Sequence, residues 1–298
     1  MKIKFHTLLV GVFLFAACSD DSSKEKNILA DSTSGPEVQI NRQILDEMIR
    51  TLPQPIEIAD IISKSHMDFS VDMLVPSGNS SKYSDKYYQA LAFGAYGVDL
   101  GYINLNEKTL YTLEYLESIK NLSEDLKVDQ FFDFNTLADL SKNRNNADSL
   151  VQISTRNFNR IDEFLREKNR GELSVLILIG AWLEGMHMFA EIHQQNPDIS
   201  RRIGEQKIIF GNISALLGKL NTVNHFKMME TDFSKLKTVY DSVNITTIYK
   251  QPETQEVNGE LVIIDKSETK VDISEATVTK IISETEAFRK KYLLTTEK

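Results

Sequence analysis

The apolar positions of this chain fall mostly at helical spacing. Between Glu37 and Thr51, residues Val38, Ile40, Ile44, Leu45, Met48 and Ile49 recur every three or four positions, the pattern of a helix with one buried face. Pro53 and Pro55 stop that helix, and a short one is expected over about Ile56 to Ser65. Residues 75–83 read as a loop. Ser84 or Asp85 can then cap a helix that runs to Leu105 by accepting its free N–H groups. Further helices are predicted at about Glu107 to Leu126, Phe134 to Asn143 and Asn146 to Asn169. Leu173 to Ile192 is the longest apolar run after the N-terminus and holds the single tryptophan, Trp182. Asn196-Pro197-Asp198 separates it from a helix at about Ile199 to Leu220, and a short helix is expected from Asp232 to Val243. Residues 245–272 break the pattern: they alternate, are rich in Thr, Val and Ile, and carry Asn258-Gly259, which predicts a β-hairpin. Helix returns from Ser274, its cap, to Leu293. The fold class expected is all-α, a multi-helix array with a small inserted hairpin.

Glycines sharpen this outline. Gly94, Gly97 and Gly101 sit inside one predicted helix, Gly180 and Gly185 inside another. Each costs about 1 kcal/mol relative to alanine, so clustered glycines point to a second backbone packed very close. Gly94-Ala95-Tyr96 matches Gly180-Ala181-Trp182, and an acid follows each, Asp99 or Glu184. Phe134, Leu137 and Leu140 echo Phe233, Leu236 and Val239. Two readings stand: a duplicated four-helix unit whose glycine-rich helices pair across a pseudo-twofold axis, or chance likeness between apolar helices.

Composition narrows the function classes. The chain has 298 residues, 41% hydrophobic and 26% charged, with only 13 Gly and 6 Pro. The net charge of −9 becomes −11 without residues 1–17, which carry Lys2 and Lys4. Such a surface repels phosphate backbones, so no nucleic-acid partner is expected. The single cysteine, Cys18, excludes an internal disulfide and any multi-cysteine metal site.

The N-terminus has its own logic. Lys2 and Lys4 precede an apolar core from Leu8 to Phe15, too short to span a bilayer, and then the small residues Ala16 and Ala17. Phe15-Ala16-Ala17-Cys18 resembles a bacterial lipobox, with Phe15 where leucine is usual. That resemblance implies a signal peptide over 1–17 and lipidation of Cys18 with palmitate-type acyl chains; the alternative is an ordinary secretory signal. Each buried methylene is worth about 0.8 kcal/mol, so several chains hold a protein on a membrane without a spanning helix. Cys18-Ser19-Asp20-Asp21 resembles the surface-export signal of Bacteroidota lipoproteins. Residues 19–37 are rich in Ser, Asp, Lys and Glu without aromatics, which predicts a flexible tether over 18–37 and a single helical domain over 38–298.

Asp99 and Glu184 are the candidates for chemistry. Each lies among apolar residues, where an unpaired charge is expensive. One reading is a central pocket holding both carboxylates with Tyr96, Tyr102, Trp182 and His187 nearby. The other is structural: each caps a backbone group or meets an arginine such as Arg156 or Arg160. Glu184-x-x-His187 has di-iron spacing but is the one such motif, and His6, His66, His187, His193 and His225 show no zinc pattern, so no metal or cofactor is expected. No Gly-x-Ser-x-Gly and no phosphate-binding glycine loop occurs. Ser234-x-x-Lys237 is a lone fragment of a penicillin-binding motif, and Asp31-Ser32-Thr33 resembles a short O-glycosylation signal.

Pro53-Gln54-Pro55-Ile56-Glu57-Ile58, Gly94-x-Tyr96-x-x-Asp99-Leu100-x-Tyr102, Asp148-Ser149-Leu150 and Gly180-x-Trp182-x-Glu184-Gly185 together resemble a family of uncharacterised Bacteroidota lipoproteins, over most of residues 45–195. The resemblance implies a compartment and a domain extent, and no activity. The expectation is a lipid-anchored protein of the outer membrane, facing the periplasm or the outside, serving as a non-enzymatic binding or structural module with an envelope protein as partner. The alternative is a small-molecule-binding or hydrolytic pocket at Asp99 and Glu184.

Overall fold

The computed structural model describes residues 53–63, 68–135, 137, 147–196, 199–257, 260–264 and 268–294, all within one unit, Val38–Lys298. The signal, the tether with Cys18, the helix expected at Glu37 to Thr51 and most of that at Phe134 to Asn143 lie outside these residues.

The architecture is all-α with an inserted hairpin, as the periodicity predicts. Helix α1 (Pro55–Ser63) starts on a proline, whose missing N–H costs nothing there. The Glu57 carboxylate accepts from Gln54 N at 2.7 Å, one half of a capping box. Two 3-10 turns, Val71–Met73 and Ser77–Lys82, lead to α2 (Lys86–Leu105), capped by Asp85 Oδ1 on Tyr87 N at 2.7 Å. Helix α3 (Thr109–Asp125) follows, then α4 (Ala147–Glu167) and α5 (Gly171–Gln195). Helices α6 (Ser200–Leu220) and α7 (Asn224–Asp241) come next. Helix α7 begins eight residues before the short helix expected at Asp232, because Phe226 and Met229 extend its buried stripe of Phe233, Leu236 and Tyr240 backwards.

Strand β1 (Asn244–Ile248) pairs antiparallel with β4 (Glu268–Asp272), and β2 (Glu253–Val257) with β3 (Glu260–Ile264). The four segments nest as one long hairpin, within a residue of the span expected; Asn258-Gly259 lies outside the described residues. The hairpin root leans on α6, where Val271 packs over Gly204. Helix α8 (Glu275–Arg289), capped by Ser274 Oγ on Thr277 N at 3.2 Å, ends in a π-turn, Lys290–Leu294.

Helix α5 is the axis. Every residue from Leu173 to Ala190 is buried, and a helix apolar on all sides must be enclosed by others. Helices α1, α2, α4, α6 and α8 enclose it. By length and apolarity α5 could cross a membrane, yet it is wholly wrapped in protein. Its closest neighbour is α2. A Cβ on Gly94 would meet the Ile177 carbonyl oxygen at 1.8 Å, and one on Gly180 the Leu91 carbonyl oxygen at 1.9 Å. Ile177 precedes Gly180 by three residues, and Leu91 precedes Gly94 by three, so the contact is reciprocal. That is the pairing a pseudo-twofold relation requires of the two glycine-rich helices. The third helix of the second set, α7, runs to 18 residues, and most of its counterpart at Phe134 to Asn143 lies outside the described residues.

Candidate functional site

Asp99 on α2 and Glu184 on α5 are fully buried and lie side by side, brought together by the glycine contact one turn away. Their cation is neither Arg156 nor Arg160 but Arg289, from α8. Arg289 Nε donates to Glu184 Oε2 at 2.8 Å and Nη2 to Glu184 Oε1 at 2.7 Å, a bidentate pair that occupies both carboxylate oxygens. Arg160 instead sits over the Phe131 ring, 5.2 Å from its centroid.

These charged groups hold a piece of backbone. Met73, Leu74 and Val75 are buried where the chain leaves the first 3-10 turn, and from Leu74 to Pro76 no helix or ladder satisfies the backbone's polar groups. Arg289 Nη2 donates to Met73 O at 3.1 Å, and Val75 N donates to Asp99 Oδ2 at 3.0 Å. Tyr115 Oη donates to Val75 O at 2.8 Å and Tyr96 Oη to Pro76 O at 2.7 Å. Tyr83 Oη donates to Leu293 O and so ties the C-terminal π-turn to the same region. Burial above all holds the hydroxyls of Tyr83, Tyr96 and Tyr115 above the ordinary tyrosine range, keeping each a donor.

Asp99 is the partner that gives way. Its Oδ1 is buried beside the Glu184 carboxylate with no donor among the described residues. Burial first, and then the charge of Glu184, push its carboxyl well above the usual range; Arg289 and the Val75 N–H pull the other way and lose. A proton on Oδ1 converts two competing acceptors into a donor and an acceptor. The cluster is then a neutral acid, a carboxylate and a guanidinium, with no net charge buried.

Of the six residues expected around a pocket, Tyr96, Asp99 and Glu184 come together and the others do not. Tyr102 stacks on Phe69 with ring centroids 5.3 Å apart. Trp182 packs on Phe210 and Phe233, its Nε1 donating to Gln206 Oε1 at 3.2 Å. His187 pairs through Nδ1 with Glu286 at 2.7 Å, so Glu184 and His187 serve different partners despite their spacing. Ser234 Oγ donates to Thr231 O at 2.6 Å, a helical back-bond away from any site.

The residue missed was Arg289. Its signal is its place on the α8 stripe of Val278, Ile281, Thr285 and Phe288, where a charge must find a buried partner. A serine, a histidine and an acid also meet where α5, α6 and α8 converge. His193 Nε2 lies 3.0 Å from Ser200 Oγ and 3.3 Å from Glu275 Oε2, and Ser200 Oγ donates to Glu275 at 3.1 Å. A relay needs serine on one ring nitrogen and acid on the other. Here both sit on Nε2, and the serine proton already points to the glutamate. Searches of protein-family models, curated proteins and solved structures give no match to this chain.

Proposed function

We propose that this protein is a non-enzymatic binding or structural module, held at the outer membrane by a lipid on Cys18. The observation that carries the non-enzymatic part is the bonding of the central carboxylates. Both oxygens of Glu184 and one of Asp99 are committed to Arg289 and to Val75, at zero exposure, in the service of a backbone segment. A hydrolytic centre needs a carboxylate within reach of substrate, and these two are at zero exposure. The alternative, a pocket centred on Asp99 and Glu184, therefore has less support. The anchor rests on Phe15-Ala16-Ala17-Cys18, and the compartment also on the likeness to Bacteroidota lipoproteins.

Fractionation of cells tests the anchor. The parent chain should sediment with outer membranes and take up labelled palmitate, while Cys18→Ser should move to the soluble fraction and take up none. A Cys18→Ser chain that still sediments with membranes overturns the anchor. An envelope protein that crosslinks to the parent chain and not to Cys18→Ser would identify the partner.

A further inference from the structure

The inserted hairpin leaves two strand edges bare. Among the described residues each of its ladders has two strands, so every strand keeps one edge of unpaired N–H and C=O groups. A two-stranded ribbon is at best marginally stable in water, and further strands or a packed helix steady it. The two edges differ. The outgoing arm carries Pro252 between β1 and β2, a residue with no N–H to give to a neighbouring strand. The return arm, from β3 to β4, has no proline.

Strand β4 also carries charges in a telling order. Glu268, Lys270 and Asp272 are exposed, whereas Thr269 and Val271 are half-buried on the other face, with Val271 over Gly204. Glu268 pairs with Lys250 within the hairpin, but Lys270 stands across the ladder from Thr246, which offers no counter-charge. Exposed charges usually keep an edge from pairing. An antiparallel pair of identical strands related by a twofold axis is centred on one residue. Centred on Glu268 or on Lys270, it sets like charges face to face, which is unfavourable. Centred on Thr269, it sets Glu268 of each copy opposite Lys270 of the other, and Thr269 opposite itself. Centred on Val271, it sets Glu268 opposite Ser274, where the strand has ended and α8 begins.

We infer that the free edge of β4 pairs antiparallel with β4 of a second copy of this chain, about a twofold axis at Thr269. The product is a four-stranded sheet with both β4 strands inside and β1 on each flank. One charge pattern thus fixes both the partner and the register. The inference goes beyond the proposed anchor and does not rest on it.

The test is sedimentation equilibrium of the full chain carrying Cys18→Ser, so that no covalent lipid drives association. This chain should dimerise. On the same background, Glu268→Lys and Lys270→Glu each turn both cross-strand ion pairs into like-charge pairs, and each should weaken the dimer at least about tenfold. Both positions are exposed, so neither change disturbs a packed side chain. An equimolar mixture of the two variants should dimerise as the parent does, because each then meets the opposite charge. A parent that stays monomeric up to ~100 μM overturns the proposal and leaves the edge to a strand of another protein. A dimer that neither reversal weakens, or a mixture that associates no better than its components, overturns it as well.

Discussion

The two faces of α2 use the same residues to opposite ends. Towards α5, Gly94 brings two backbones into contact, and the polar groups beyond it are charged and bonded to one another. Towards α1, Gly97 and Gly101 receive side chains instead, Pro55 on one and Ala59 and Ile56 on the other, and the polar groups beyond are neutral. The first face has no room left, and the second keeps a slot of about 90 Å³ lined by α1, α2, α3 and α4. Acids buried in an apolar helix are therefore no guide to where a ligand goes. The charged cluster marks where the fold had backbone to satisfy, and the uncharged face marks where space remains.

The largest effects should come from filling the first face. A Cβ at Gly94 or Gly180 would lie under 2 Å from a carbonyl oxygen, and backbone cannot step aside as a side chain can. Gly94→Ala and Gly180→Ala should each cost more than the ~1 kcal/mol that alanine returns in helix propensity, with a net loss of about 3 kcal/mol or more in urea unfolding. Because the two clashes are reciprocal across one interface, the double variant should cost less than the sum of the singles. Additive losses would show that the two glycines act at separate contacts and would break the pseudo-twofold pairing.

Next in size is Glu184→Gln. The amide takes away the bidentate counter-charge of Arg289 and leaves only Asp99, which must give up its proton to replace it; breaking a buried pair from one side costs about 3–5 kcal/mol. A loss under about 1 kcal/mol that persists in the double variant with Asp99→Asn would mean that water reaches the guanidinium, and the contrast between a sealed face and an open one would fail.

Periodicity made the helices, the hairpin and the α8 cap legible, because each is decided by residues within a few positions of one another. Asp85 and Ser274 cap the helices that the sequence assigns to them, and Gly94 and Gly180 meet as their clustering implied. The start of α7 was not legible, since Phe226 and Met229 join its stripe across polar neighbours. Nor was the partner of Glu184. Arg289 stands 105 residues away in sequence, and the choice among arginines depends on which helix closes over α5. The slot was invisible for a related reason: it is made of ordinary leucines and phenylalanines from four helices, and only their relative spacing creates it.

Asp99→Asn separates the two carboxylates by pH. The raised carboxyl of Asp99 means that the folded chain keeps a proton which the unfolded chain gives up near pH 3.9. The stability tied to that proton is complete below this value and is lost as pH rises towards the folded pKa. Asparagine copies the protonated acid: its oxygen can accept from Val75 N while its amide donates to Glu184. The variant should fall within about 1 kcal/mol of the parent near pH 4 and should gain on it as pH rises to 7. Urea unfolding across that range measures the difference. A gap that stays constant with pH would mean that Asp99 is ionised in the fold.

The smallest effect belongs to the second face. A Cβ on Gly97 would sit 3.0 Å from Pro55 Cβ, tight but not impossible, whereas one on Gly101 would come within 2.7 Å of Ala59 Cβ and 3.0 Å of Ile56 Cδ1. Alanine at Gly97 returns about 1 kcal/mol of helix propensity against a small shift of α1, so Gly97→Ala should change stability by less than about 1 kcal/mol. Gly101→Ala should cost more, because Ala59 can retreat only if α1 moves as a whole. Moving α1 outward would also widen the slot beside it. If Gly97→Ala leaves stability nearly unchanged while Gly94→Ala does not, the second face has the room that the first lacks. If Gly97→Ala proves as costly as Gly94→Ala, both faces are equally closed and the distinction between them does not hold.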